Sequence, residues 1–200
     1  FSGPIGSGAG GSVYRLCKSD SDSDGEGNGD MAPCQYVGKF ISLPDELAIA
    51  RFYNEVKLTK LAEEVAMPVI DSWICQVPFY NAFEGRFEPS DVGVIISLLA
   101  EETLSDVIYQ YQTDTILESI EDLVYGLREL GIMHRDLWAG NIVLYEGTLR
   151  LIDFGLAWDG SEPDVNSGQD NHTFKPVPSH WDPDYDMTTI MLDLRKRLAK

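Results

Sequence analysis

Three oxygen-bearing side chains recur along one stretch of the chain: Asp136, then Asn141, then Asp153. They sit in His134-Arg135-Asp136-Leu137-Trp138-Ala139-Gly140-Asn141 and in Asp153-Phe154-Gly155. Two carboxylates and an amide form a hard-oxygen set, which Mg²⁺ prefers when phosphate oxygens complete its shell. Singly, each is an ordinary turn former; the ordered set is hard to obtain by chance. A second group of residues points to phosphate as well. Ile5-Gly6-Ser7-Gly8-Ala9-Gly10-Gly11-Ser12-Val13 carries the spacing G-x-G-x-x-G-x-V. Glycines let a backbone approach phosphate oxygens and turn N–H groups towards them. Strand-like residues flank this run on both sides, which favours a loop lying over nucleotide phosphates rather than a dinucleotide-binding turn opening a helix. Lys39 alternates with Val37 and Ile41, so all three share one face of a strand. A cation among apolar neighbours needs an anion, and Glu46, Glu55, Glu63 and Glu64 on the following helical stretch are candidates.

The elements that must hold these groups follow from periodicity. Strands are expected over 1–5, 12–17, 35–41, 69–76 and 92–99, with 78–91 as a loop rich in Gly, Pro and Asn. Residues 45–64 read as a helix behind Pro44, with Leu47, Ile49, Ala50, Phe52, Val56, Leu58 and Leu61 on a broad apolar face. A short helix is expected near 104–110. A longer one covers 115–130, ended by Gly131. The runs 142–145 and 148–152 flank Glu146-Gly147 as a tight hairpin. Residues 156–183 contain Pro163, Pro176, Pro178 and Pro183 and read as irregular; 187–200 are helical. Strands come first and helices later, an α+β plan. Residues 18–33 are an acidic Ser/Asp/Gly run, expected to be a solvated loop.

The chain has 200 residues, 44% of them hydrophobic, enough for a core divided between two lobes. It carries 15 Lys and Arg against 33 Asp and Glu, a formal net charge of -18. That balance argues against nucleic acid or an anionic membrane as the main partner. No apolar run approaches a membrane span. Cys17, Cys34 and Cys75 show no metal or redox spacing, and the odd count does not suggest a disulfide framework. An intracellular protein, cytoplasmic or nuclear, is the expectation. Asn171-His172-Thr173 matches a glycosylation triplet, a pattern common by chance.

These motifs, in chain order from Gly6 to about Leu192, resemble the eukaryotic-type protein kinase family. The resemblance implies a two-lobed kinase-like fold, with a strand-rich lobe at 1–97 and a short, mainly helical lobe at 98–200. It implies that Gly6, Ser7, Gly8 and Gly11 cover ATP phosphates while Ile5 and Val13 meet the adenine. Lys39 would hold the α- and β-phosphates, steadied by Glu55, which the resemblance selects among the four acids. Ser97 and Leu99 would lie in the linker beside the adenine, with Ile96 behind it and Val143 as the pocket floor. Asp136 would be the catalytic base, Asn141 and Asp153 would bind Mg²⁺, and Asp186 would buttress the catalytic loop. The implied partner is a protein substrate.

Three departures shape the expectation. Trp138 replaces the lysine usual in serine/threonine kinases, and Gly140 does not supply the arginine of many tyrosine kinases. Serine or threonine is preferred as acceptor, with tyrosine left open. No Ala-Pro-Glu occurs between Asp153 and Asp186; Trp181-Asp182-Pro183-Asp184 is a loose substitute, as in a fragment or a compact divergent kinase of viral type. The acidic insert is the third, with Ser19, Ser21 and Ser23 beside aspartates. Thr173 and Ser179 read as ordinary loop residues rather than phosphosites. Two alternatives stand beside a protein kinase: a pseudokinase acting as an ATP-binding scaffold, and a small-molecule kinase, against which Arg135 tells.

Overall fold

A computed structural model describes residues 3–8, 11–17, 34–81, 85–110, 113–173 and 175–199. The acidic insert 18–33, with Ser19, Ser21 and Ser23, lies outside them. The chain forms two compact units, one of Phe1–Pro44 and Val69–Leu99, the other of Asp45–Pro68 and Ala100–Lys200. Secondary structure is α+β, as the order of periodicities requires.

The first unit is one antiparallel sheet. Its strands are β1 (Gly6–Gly8), β2 (Gly11–Leu16), β3 (Tyr36–Ser42), β4 (Val69–Asn81) and β5 (Arg86–Leu98), in the spatial order β1-β2-β3-β5-β4. The glycine run is therefore itself a strand pair and not a bare loop after a strand at 1–5. Gly11 has φ +115°, and a Cβ there would overlap the Phe40 carbonyl, so glycine is demanded by the fold as well as by any ligand. The expected loop at 78–91 is instead mostly ladder. Pro78 and Pro89 stand opposite each other, and neither has an N–H to lose from the pair.

Cys17 and Cys34, just beyond the paired Leu16 and Tyr36, form a disulfide. This corrects the reading of the cysteines. The odd count hid the pair because a third residue, Cys75, stays free. Strand register, not spacing in sequence, brings the two sulfurs together, and the cysteine argument for a reducing compartment falls with it.

The second unit holds α1 (Glu46–Leu61), the short β6 (Glu102–Thr103), α2 (Leu104–Val107), α3 (Thr113–Glu129), β7 (Ile142–Tyr145), β8 (Thr148–Leu151) and α4 (Tyr185–Leu198). Helix α1 opens on Asp45, whose side chain accepts from Ala48 N at 2.8 Å. The sequence reading groups this helix with the strands, whereas Leu58 and Ala62 enter the helical unit's core beside Leu104, Ile120, Leu127, Leu137, Leu151, Phe154 and Ile190. Gly131 N–H to Arg128 O and Ile132 N–H to Leu127 O close α3 in a Schellman motif. Glu146 and Gly147 both have positive φ, giving the expected tight turn between β7 and β8. Among the described residues no helix is long and apolar enough to cross a membrane.

Candidate functional site

The segment between α3 and β7 is built around two buried groups. Arg135 is fully buried and has φ 64°, left-handed backbone that costs a non-glycine residue about 1–3 kcal/mol. Asp186, in the first turn of α4, holds it there. Its carboxylate accepts from His134 N at 2.7 Å and Arg135 N at 2.9 Å. Burial pushes the Asp186 carboxyl above its ordinary value, against the pull of His134 and Arg135. The Arg135 guanidinium then ties three segments together. Nε donates to Leu156 O at 2.7 Å, Nη1 to Asp164 Oδ2 at 2.7 Å and Pro178 O at 3.1 Å, and Nη2 to Asp164 Oδ1 at 3.0 Å. For Asp164 burial works upward, but the Arg135 fork and the Asn166 N–H outweigh it and leave the carboxyl below its usual value.

With that frame fixed, Asp136 projects beside Asn141. Asn141 Nδ2 donates to Asp136 O at 2.9 Å and approaches Asp136 Oδ2 at 3.2 Å. Ile152 N donates to Asn141 O at 3.0 Å, so Asp153 follows directly on a residue bonded to Asn141. Asp153 has φ 63°, and its Oδ1 accepts from Gly155 N at 3.4 Å. The Glu55 carboxylate, buried on α1, lies against the position a Gly155 Cβ would take. His134 packs on Phe154 with ring centroids 4.8 Å apart and donates from Nε2 to Ile152 O.

The donor chemistry suits Mg²⁺. Asn141 Nδ2 is committed to Asp136 O and Oδ2, so the hard donor Asn141 can offer a cation is its amide oxygen. Among the described residues no group of three or more His, Cys, Asp or Glu is placed to hold a metal ion by itself. Mg²⁺ takes one or two protein ligands and completes its shell with water and phosphate.

In the first unit, the ladder aligns Gly6, Val13, Lys39 and Ile95 in one transverse row. Val37 pairs with Ser97 in the row two residues away, on the same face. Ile5 N donates to Val13 O at 2.8 Å, Ser7 pairs with Ser12 and Gly8 with Gly11. Leu99 N donates to Gln35 O at 2.9 Å. Lys39 is half-buried. In the second unit Val143 is buried on β7, opposite Thr103 and Arg150.

Several residues at the site escape sequence reasoning. Asp164 is one, the carboxylate on Arg135. His172 is another, with its backbone N at 2.7 Å and Nδ1 at 2.6 Å from Asp136 Oδ1. Both come from the proline-rich irregular segment, where no periodicity announces a partner. Asn171 is buried and committed: Nδ2 donates to the Tyr185 hydroxyl, and Oδ1 accepts from Thr173 N and Oγ1. The glycosylation triplet is thus a structural turn.

No family model matches the chain. It is similar to probable serine/threonine-protein kinases of three organisms. The relative from Encephalitozoon cuniculi is 36% identical over 78 residues, covering 36% of this chain and 15% of the relative. The one from Dictyostelium discoideum is 26% identical over 155 residues, 76% of this chain and 14% of the relative. The one from Caenorhabditis briggsae is 27% identical over 124 residues, 56% of this chain and 17% of the relative. The chain thus spans about a sixth of the length of these relatives. The likeness to protein kinases rests on named relatives as well as on motifs.

Proposed function

We propose that this kinase-like chain transfers the γ-phosphoryl group of ATP to a hydroxyl of a protein substrate, serine or threonine in preference to tyrosine. The observation that carries the reading is the Asp136–Asn141 pair, locked by hydrogen bonds and joined through Ile152 to Asp153. A carboxylate bonded to one metal-capable amide on a loop held by Arg135 and Asp186, with a second carboxylate one residue past Ile152, suits phosphoryl transfer. That reaction is catalysed mainly by positioning and charge neutralisation. Asp136 takes the role of base towards the substrate hydroxyl. Asn141 and Asp153 would hold Mg²⁺, which neutralises phosphate charge when bound. In the first unit the glycine strands and Ile5, Val13, Ser97 and Leu99 take the nucleotide, and Lys39 its α- and β-phosphates. The names of the three relatives support the preference for serine or threonine.

The test is transfer of label from γ-labelled ATP, with Mg²⁺, to a generic protein substrate, beside Asp136→Asn. Label on the substrate that disappears with Asp136→Asn is the expected result, and acid hydrolysis of the product identifies the acceptor residue. ATP binding with no transfer by either form would overturn the enzyme reading in favour of an ATP-binding scaffold.

A further inference from the structure

Trp138 is the departure from the kinase pattern that the proposed reaction leaves without a role. Its indole is held from several directions. It covers Gly140 so closely that a Cβ there would overlap the ring. The Arg197 guanidinium lies 5.6 Å from the ring centroid, a distance at which a cation is attracted to an indole. Arg197 is itself anchored by Asp193, Nε to Oδ2 at 2.8 Å, and the same Asp193 oxygen accepts from Ala139 N at 2.9 Å. Trp138 is therefore a built shelf and not a loose surface aromatic.

The shelf carries His172, whose ring stacks on the indole with centroids 5.2 Å apart and planes 20° from parallel. The Asn171 turn delivers His172 to that place, fixed through Tyr185 and Thr173. Both His172 nitrogen contacts fall on one oxygen of Asp136. A carboxylate only accepts, so backbone N–H and Nδ1–H both donate to Oδ1, at 2.7 and 2.6 Å. Asp136 Oδ2 has a longer contact, 3.2 Å from Asn141 Nδ2. The two oxygens are thus unequal. Two short donors occupy Oδ1, which leaves Oδ2 the less encumbered oxygen of the carboxylate. A planar ring on a planar shelf also holds that alignment with little rotational freedom, unlike a flexible lysine stem.

We propose that His172, seated on Trp138, is a positioning residue for Asp136, orienting the carboxylate so that Oδ2 receives the substrate proton. The proposal rests on the phosphotransfer reading. In the step it serves, the substrate hydroxyl oxygen bonds to the γ-phosphorus and its proton passes to Asp136 Oδ2. The bond from that phosphorus to the β–γ bridging oxygen breaks, and ADP leaves with the electron pair.

The test compares kcat and KM of the full chain with those of His172→Ala, His172→Asn, Trp138→Ala and the double alanine variant, each checked for an unchanged melting curve. His172→Ala should lower kcat roughly tenfold or more, a part of the roughly 10²–10⁴ that a positioned base contributes, and leave KM for ATP unchanged. His172→Asn, whose Nδ2 restores a donor near the Nδ1 position, should recover most of the loss. Trp138→Ala should fall as far as His172→Ala, and the double variant no further, because the two act as one unit. A chain that transfers phosphate with kcat unaffected by His172→Ala overturns this proposal and leaves the kinase reading standing. A wild-type chain that transfers none overturns both. Nitrogen-15 imidazole spectra give a readout apart from activity. They should show His172 protonated at Nδ1 with a signal displaced by Asp136→Asn, and an Nε2–H tautomer in the wild type would overturn the geometry.

Discussion

A guanidinium with no exposure to solvent is the most demanding residue in the chain. Arg135 has 0% side-chain exposure, and its partner Asp164 has 7%. A buried pair gains little over an apolar pair of the same size, but removing one partner strands the other charge in a poor solvent. Asp164→Ala should therefore destabilise the second unit by about 3–5 kcal/mol, read as a drop in the denaturant midpoint. Asp164→Asn, which keeps the shape and loses the charge, should fall between. An alanine variant within about 1 kcal/mol of the parent would mean that Arg135 draws its support from the Leu156 and Pro178 carbonyls alone. Legibility at this scale divides along the same line. His134, Arg135, Asp136, Asn141 and Asp153 could be picked out because their spacing is local and ordered. Asp164 and His172 could not, since nothing in a non-periodic segment shows which side chain a buried charge will meet across the fold.

Helix α1 shows what holds an element once its face is buried. Besides its core residues, it is fastened by three polar ties: Arg51 Nε to Val165 O at 2.8 Å, Asn54 Nδ2 to Ala157 O at 3.0 Å, and Lys57 Nζ to Asp159 at 2.6 Å. The hydrogen bond from Lys57, aided by Ser161, lowers the Asp159 carboxyl to about 2. In the unfolded chain it returns to about 3.9. A depressed folded value means stability that is complete above the unfolded value and fades as pH falls through the folded one, so the window lies between about pH 4 and pH 2. Lys57 is 57% exposed, and solvent screening limits the pair to about 0.5–1 kcal/mol. Lys57→Ala should lose that amount at neutral pH by urea denaturation and converge with the parent as pH approaches 2. A gap that stays constant across the window would assign the loss to the lysine stem's packing instead. The extent of α1 was legible from its apolar spacing and Asp45. The length of the β4–β5 hairpin was not, because prolines at 78 and 89 read as breakers until they are seen to face one another.

At the scale of the molecule the acidic excess and the disulfide meet. Asp20, Asp22, Asp24, Glu26 and Asp30 all fall between Cys17 and Cys34 in sequence. The disulfide joins the chain just past β2 to the chain just before β3. Its sequence separation of 17 is close to the loop for which cross-linking contributes about 3 kcal/mol by restricting the unfolded chain. Cys17→Ser, Cys34→Ser and reduction of the parent should therefore each cost the first unit about 3 kcal/mol, and the three should coincide. With Cys75 replaced by serine to prevent exchange, added reductant should leave both serine variants unchanged. Alkylation without reductant, read by mass, should label Cys75 alone in the parent. Labelling of all three cysteines would remove the bond from the folded protein, and the strand ends would then rest on the ladder between Leu16 and Tyr36 by itself.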